Sequence, residues 1–147
     1  MTYEDFCKEY PFRYESEVKW GEMDALQHVN NIYYFRYFEC SRMMFWDRLK
    51  EETQGKVPAT VGPILGATSC RFRRPLFYPD KILIGARVVT LADDRFTLGH
   101  GIWCFRENAL AAEGDGIIVS FDYVLKKKIP LPEAWKAFIN SSSLKNA

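Results

Sequence analysis

Twenty consecutive residues, Asn31 to Lys50, contain neither proline nor glycine and are apolar at Ile32, Tyr33, Tyr34, Phe35, Tyr37, Phe38, Met43, Met44, Phe45, Trp46 and Leu49. The absence of breakers predicts one helix of about 30 Å, with Asn30 or Asn31 as N-cap, because a short amide side chain accepts from free backbone N–H groups. An amphipathic surface helix confines its apolar residues to one stripe. Here they cover most of the circumference, so the rod is expected inside something. Arg36, Glu39, Arg42, Asp47 and Arg48 exclude a membrane span. The rest of the chain has to wrap it.

The flanking segments supply the wrapping. Phe12 to Trp20 alternates apolar and polar residues, the period of a strand. Glu51 to Pro63 carries two glycines and two prolines and is expected as a loop. Ile64–Arg74, Lys81–Leu91, Arg95–Arg106 and Ala109–Lys126 are then expected as strands, separated by turns at Pro75–Pro79, Asp93-Asp94 and Glu107-Asn108. Pro132 to Asn140 suits a short helix, and Ser141 to Ala147 a frayed end. The expected class is α+β: one curved antiparallel sheet folded around one helix, burying the helix and the inner sheet face together. Such a sheet leaves edges open, and pairing subunits edge to edge is a common remedy.

Composition narrows the function. The 147 residues suit one domain, and a formal net charge of +1 gives no field that draws the chain to nucleic acid or anionic lipid. Met1 to Tyr10 holds Glu4, Asp5, Lys8 and Glu9 without an apolar run, which reads as no secretory signal and as a cytoplasmic protein. Cys7, Cys40, Cys70 and Cys104 lie far apart beside only two histidines, so neither a metal site nor a redox motif is expected, and the thiols are expected reduced and mostly buried.

The chemistry concentrates before the helix, in Trp20-Gly-Glu-Met-Asp-Ala-Leu-Gln-His-Val-Asn-Asn31. Free N–H groups and the macrodipole at a helix start stabilise an oxyanion forming on a carbonyl. A carboxylate a few residues upstream, Asp24, attacks that carbonyl or activates water beside it. Together these hydrolyse an activated ester or thioester without a metal or cofactor.

The pattern Glu22-x-Asp24-x-x-x-His28-Val29-Asn30-Asn31-x-x-Tyr34-x-x-Tyr37-x-Glu39-x-x-Arg42 resembles the signature of hotdog-fold acyl-CoA thioesterases of the 4-hydroxybenzoyl-CoA thioesterase type. Arg73-Arg74-Pro75-Leu76 and Asp80 resemble the strand boundary that follows the helix in that family, and the likeness spans roughly residues 12 to 130. It implies a hotdog fold, dimers or tetramers built by joining sheets, and a site at a subunit interface. It carries the catalytic aspartate onto Asp24, as nucleophile or general base, and the oxyanion donor onto the backbone N–H near Asn31. His28 and Asn30 would shape the pocket mouth or position water, and Tyr34 would line the substrate site. Some related enzymes place the working carboxylate on the helix, where Glu39 stands. Gln27 occupies a position where related sequences often have glycine, so the turn differs or the amide enters the pocket.

Each residue also has a plainer role. Glu39 and Arg42 stand three apart and suit an ion pair. Arg71, Arg73, Arg74 and the Lys126–Lys128 run suit CoA phosphates, and equally suit a solvated sheet edge. The aromatic residues fill a core more readily than they read an aromatic acyl group. Rival readings are hydrolysis of carrier-protein thioesters, a non-catalytic acyl-CoA sensor on the same fold, and a dehydratase.

Overall fold

The computed structural model describes residues 1–144. Helix α1 (Tyr3–Glu9) precedes strand β1 (Phe12–Glu17) and helix α2 (Asn31–Glu52), and the strands β2 (Val61–Phe72), β3 (Lys81–Leu91), β4 (Arg95–Cys104), β5 (Ala109–Asp122) and β6 (Lys127–Lys128) lead to helix α3 (Glu133–Leu144). The strands form one antiparallel sheet in the order β1-β3-β4-β5-β2, with the short β6 beside β5. The sheet curls around α2, which is the hotdog arrangement. Two apolar clusters fill the concave side. Tyr34, Tyr37 and Phe38 meet Ile82, Ile84 and Ile102, while Phe45 and Leu49 meet Phe96, Leu98, Ile118 and Trp135.

The helix is less enclosed than its composition suggests. Ile32 keeps 58% and Met43 51% of their surface, and with Arg36 and Glu39 they leave a strip of α2 open to solvent in the single chain. The buried face is Tyr34, Tyr37, Phe38, Ser41, Phe45 and Leu49, a stripe of ordinary width. The expected Glu39–Arg42 pair is not formed, because Glu39 accepts instead from Arg36 at 2.9 Å on the exposed strip.

Several boundaries move: α2 runs on to Glu52, β2 is Val61–Phe72 rather than Ile64–Arg74, β4 ends at Cys104 rather than Arg106, and three further ends shift for local reasons. β1 stops at Glu17, because the Glu22 carboxylate accepts from the Lys19 N–H and turns Trp20–Glu22 into one 3₁₀ turn. β5 stops at Asp122, whose carboxylate accepts from the N–H groups of Val124 and Leu125 and closes a turn. α3 continues through Ser141–Leu144, the start of the expected frayed end, while residues 145–147 lie outside the described part.

The amino-terminal helix was not expected. Thr2 and Asp5 form a capping box, and Phe6 and Tyr10, one turn apart, pack with Leu83 and Trp103 on the convex face. Gly101 makes this contact possible, since a Cβ there would lie 2.7 Å from the Tyr10 ring. All four cysteines are free, but only Cys104 is fully buried; its thiol donates to Asp80 at 2.8 Å.

Candidate active site

The loop between β1 and α2 is held as a narrow hairpin. Met23 and Val29 form an antiparallel bridge, the Asp24 N–H donates to His28 O at 2.9 Å, and the Asn30 N–H donates to Glu22 O at 2.9 Å. Tyr37 anchors the base by donating to Glu22 Oε1 at 2.9 Å. Burial first, then the Glu22 bond, raises the Tyr37 phenol far above its ordinary value, so it acts only as a donor. Gln27 sits at the tip with φ 63°, the left-handed region that glycine adopts freely. The turn that glycine would favour is therefore kept by a glutamine, and the Gln27 side chain is exposed.

Asp24 is exposed, and its Oδ1 accepts from the Leu26 N–H at 2.8 Å. His28 is half-buried, with its ring 5.0 Å from that of Phe77. Asn30 is the N-cap: its side chain accepts from the Ile32 N–H at 3.3 Å, and its carbonyl accepts from the Tyr33 N–H at 3.0 Å. The Asn31 N–H has no acceptor among the described residues. It is the donor left over at the positive end of a 22-residue helix.

Beside it lies an open cleft of about 280 Å³ lined by Val29, Asn31, Tyr34, Phe72, Arg73, Arg74 and Pro75. Tyr34 builds this cleft more than it presents itself to it. Its buried hydroxyl accepts from the Leu76 N–H at 3.0 Å and donates to Arg74 O at 3.4 Å, fixing the segment after β2 against the helix tip. Burial pushes its phenol up to about 12. The Val29 N–H donates to Leu76 O at 2.9 Å and closes the same seam.

The single chain thus brings Asn31, Tyr34, Arg73 and Arg74 together, while Asp24, Gln27 and His28 stay on the hairpin outside the walls of this cleft. Glu39 stands two helical turns away on the open strip. Arg73 and Arg71 approach Glu113 at 2.8 and 4.0 Å, and Arg74 meets Glu107 at 3.0 Å. Arg71 faces a different depression, on the convex side with Arg87 and Asp115. Phe72 is a cleft wall outside the two motifs, and Val29 and Pro75 stood within them without an assigned role. Among the described residues no three His, Cys, Asp or Glu side chains gather as a metal site requires, and no helix is long and apolar enough to cross a membrane.

An unpaired helix-tip amide over an open cleft, on a sheet curled around that helix, can donate to a carbonyl oxygen seated in the cleft. The model of the thioesterase-like superfamily matches residues 18–139, and the chain belongs to that superfamily. An inferred esterase of Aquifex aeolicus is 31% identical over 106 residues, covering 71% of this chain and 80% of the relative. A thioesterase of Thermus thermophilus, solved in complex with coenzyme A and zinc, is 25% identical with a TM-score of 0.75, over 88% of this chain and 98% of its own. A thioesterase-superfamily structure from Jannaschia sp. CCS1 superposes with a TM-score of 0.81 at 24% identity, over 91% of this chain and 84% of its own, a likeness of fold.

Proposed function

We propose that this protein hydrolyses acyl-CoA thioesters to a carboxylic acid and CoA, with the Asn31 N–H as oxyanion donor and Asp24 as the reacting carboxylate. The observation that carries the reading is the unpaired Asn31 amide opening on the cleft. A thioester oxygen seated there gains a hydrogen bond that strengthens as its negative charge develops. Asp24 then acts as nucleophile or as general base for water, and neither route calls for a cofactor. His28 and Asn30 hold the hairpin and the cap that present these groups, and Gln27 and Tyr34 shape the mouth and the wall. Arg73 and Arg74 flank the cleft where CoA phosphates would leave it, and Arg71 stands just before them near the end of β2.

Because Asp24 lies outside the cleft of one chain, the site is completed by a second copy. β2 is a sheet edge with Ile64 and Leu65 exposed, and its open ladder is the surface on which two copies would join into a dimer. The carrier-protein and sensor readings are separated by assay. On a panel of acyl-CoAs, free CoA is released, and Asp24→Asn lowers kcat at least about a hundredfold with its melting temperature kept. Binding without turnover would hand the fold to the sensor reading.

A further inference from the structure

We propose that the turn joining β5 to β6 docks on an anionic phospholipid surface, with Val124 and Leu125 entering the bilayer boundary and Lys126, Lys127 and Lys128 meeting the phosphates. The inference is independent of the thioesterase reading and concerns the other end of the sheet.

Six consecutive residues, Tyr123 to Lys128, are all exposed. Tyr123, Val124 and Leu125 keep 52%, 69% and 60% of their surface, so three large apolar side chains stand together in water. The turn is nevertheless held. Asp122 Oδ1 accepts from the N–H groups of Val124 and Leu125 at 2.9 Å each, and the Tyr123 hydroxyl donates to Pro63 O at 2.5 Å, tying the turn to the start of β2. Lys126, at φ 53°, completes the reversal, and Lys127 and Lys128 pair with Asp122 and Phe121. Apolar groups on a backbone already fixed lose little ordering entropy on docking.

The charge beside this tip decides the partner. Three lysines against the one carboxylate of Asp122 leave residues 122–128 at +2. As successive strand residues, Lys127 and Lys128 project to opposite faces of the ribbon, so cations flank the tip on both sides. The core of a protein interface is depleted in lysine, whereas the boundary of an anionic bilayer takes apolar side chains beside ammonium groups. Tyr123 also walls a groove of about 490 Å³ with Trp46, Lys50, Val57, Pro58 and Trp135. That groove has no carboxylate in its walls; the exposed Glu51, Glu52 and Glu133 belong to neighbouring helix ends outside it. A net charge of +1 gives little long-range attraction, so the contact is local. Asp122 pairs with Val61, the opposite end of β2 from Phe72, about 35 Å along the strand. Within one chain the lysines therefore do not flank the tip cleft as Arg73 and Arg74 do.

The test is flotation of the full chain with vesicles of phosphatidylcholine alone and of phosphatidylcholine and phosphatidylglycerol in equal parts. Wild type should float with the mixed vesicles at low salt, stay in solution with pure phosphatidylcholine, and be released as salt rises. Val124→Ser with Leu125→Ser should weaken binding at least about tenfold. Lys126→Gln, Lys127→Gln and Lys128→Gln together should weaken it about a hundredfold. All five side chains are exposed, so melting temperatures should hold, and release by salt reads the charge contact without any variant. No flotation of the wild type would overturn the proposal. So would a loss in the lysine variant with none in the apolar pair, since the tip would then touch charge without inserting. A dimer-to-monomer shift of the apolar pair in sedimentation velocity, with vesicles ignored by the wild type, would instead make the tip an interface between copies and refute the docking.

Discussion

Acidification should destabilise this protein through His100 at pH values where its carboxylates are still ionised. Burial, and then the charge of Arg42, push the His100 imidazole down to about 3 from its ordinary 6.5. In the folded protein the ring therefore stays neutral, while in the unfolded chain it takes a proton as pH falls below 6.5. Between those limits the unfolded state binds more protons, so stability falls as pH falls, by about 1.4 kcal/mol per unit well below 6.5. From pH 7 to pH 5 the loss integrates to about 2 kcal/mol for this one residue. Asp5 and Asp94 are also held below their ordinary value, by Thr2 and Arg95 respectively, but they take up protons at lower pH. Urea unfolding at fixed protein concentration, for wild type and His100→Gln at pH 7 and pH 5, isolates the effect. Wild type should lose about 2 kcal/mol more than the variant over that interval. Parallel losses in the two proteins would show that the folded ring is protonated as readily as a free histidine, and the buried neutral His100 would be wrong.

Three further outcomes follow from particular contacts. Gln27→Gly should raise stability by about 0.5–1 kcal/mol, the left-handed penalty less the added unfolded-state entropy, seen as a rise of a few degrees in melting temperature. Phe45→Ala should cost about 3–5 kcal/mol in urea unfolding, since that ring is 1% exposed and packs on Phe12, Phe96 and Phe138. Gly114→Ala should destabilise by more than 2 kcal/mol, roughly the scale of overpacking plus a broken ladder, because its Cβ would collide with Ser69 O and lie 2.8 Å from Phe38; thermal melting reads it.

The fold was largely legible because its signals are local and periodic. Lys81–Leu91 is an apolar run rich in β-branched residues and is β3 to the residue, and the breaker-free run from Asn31 is α2 with Asn30 as its cap. The helix at Tyr3–Glu9 escaped because only two apolar residues, Phe6 and Tyr10, carry it, and their partners Leu83 and Trp103 are distant in sequence. The open strip of α2 escaped for a related reason: Ile32 and Met43 are apolar, and composition does not say that the sheet stops short of them.

At the site, the sequence offered Asn30 or Asn31 as cap, of which the structure selects Asn30, and only the family resemblance put a donor near Asn31. It did not show that Asp24 folds its carboxylate back onto Leu26, which depends on the hairpin's backbone angles. The influence of the Arg42 charge on His100 joins a helix to a strand nearly sixty residues away. One signal was present: His100 alternates with Phe96, Leu98 and Ile102 on the inward face of β4, a polar residue in an apolar row.

The most direct test of the central claim removes the Asn31 amide hydrogen and nothing else of consequence. Proline is tolerated at the first position of a helix, and Asn30, at φ −62° and ψ 140°, already has the backbone that precedes proline. With acyl-CoA as substrate and CoA release as readout, Asn31→Pro should lower kcat by about a hundred- to a thousandfold with melting temperature retained. Asn31→Ala, which keeps the N–H, should stay near wild type. A folded Asn31→Pro enzyme with wild-type kcat would contradict the account.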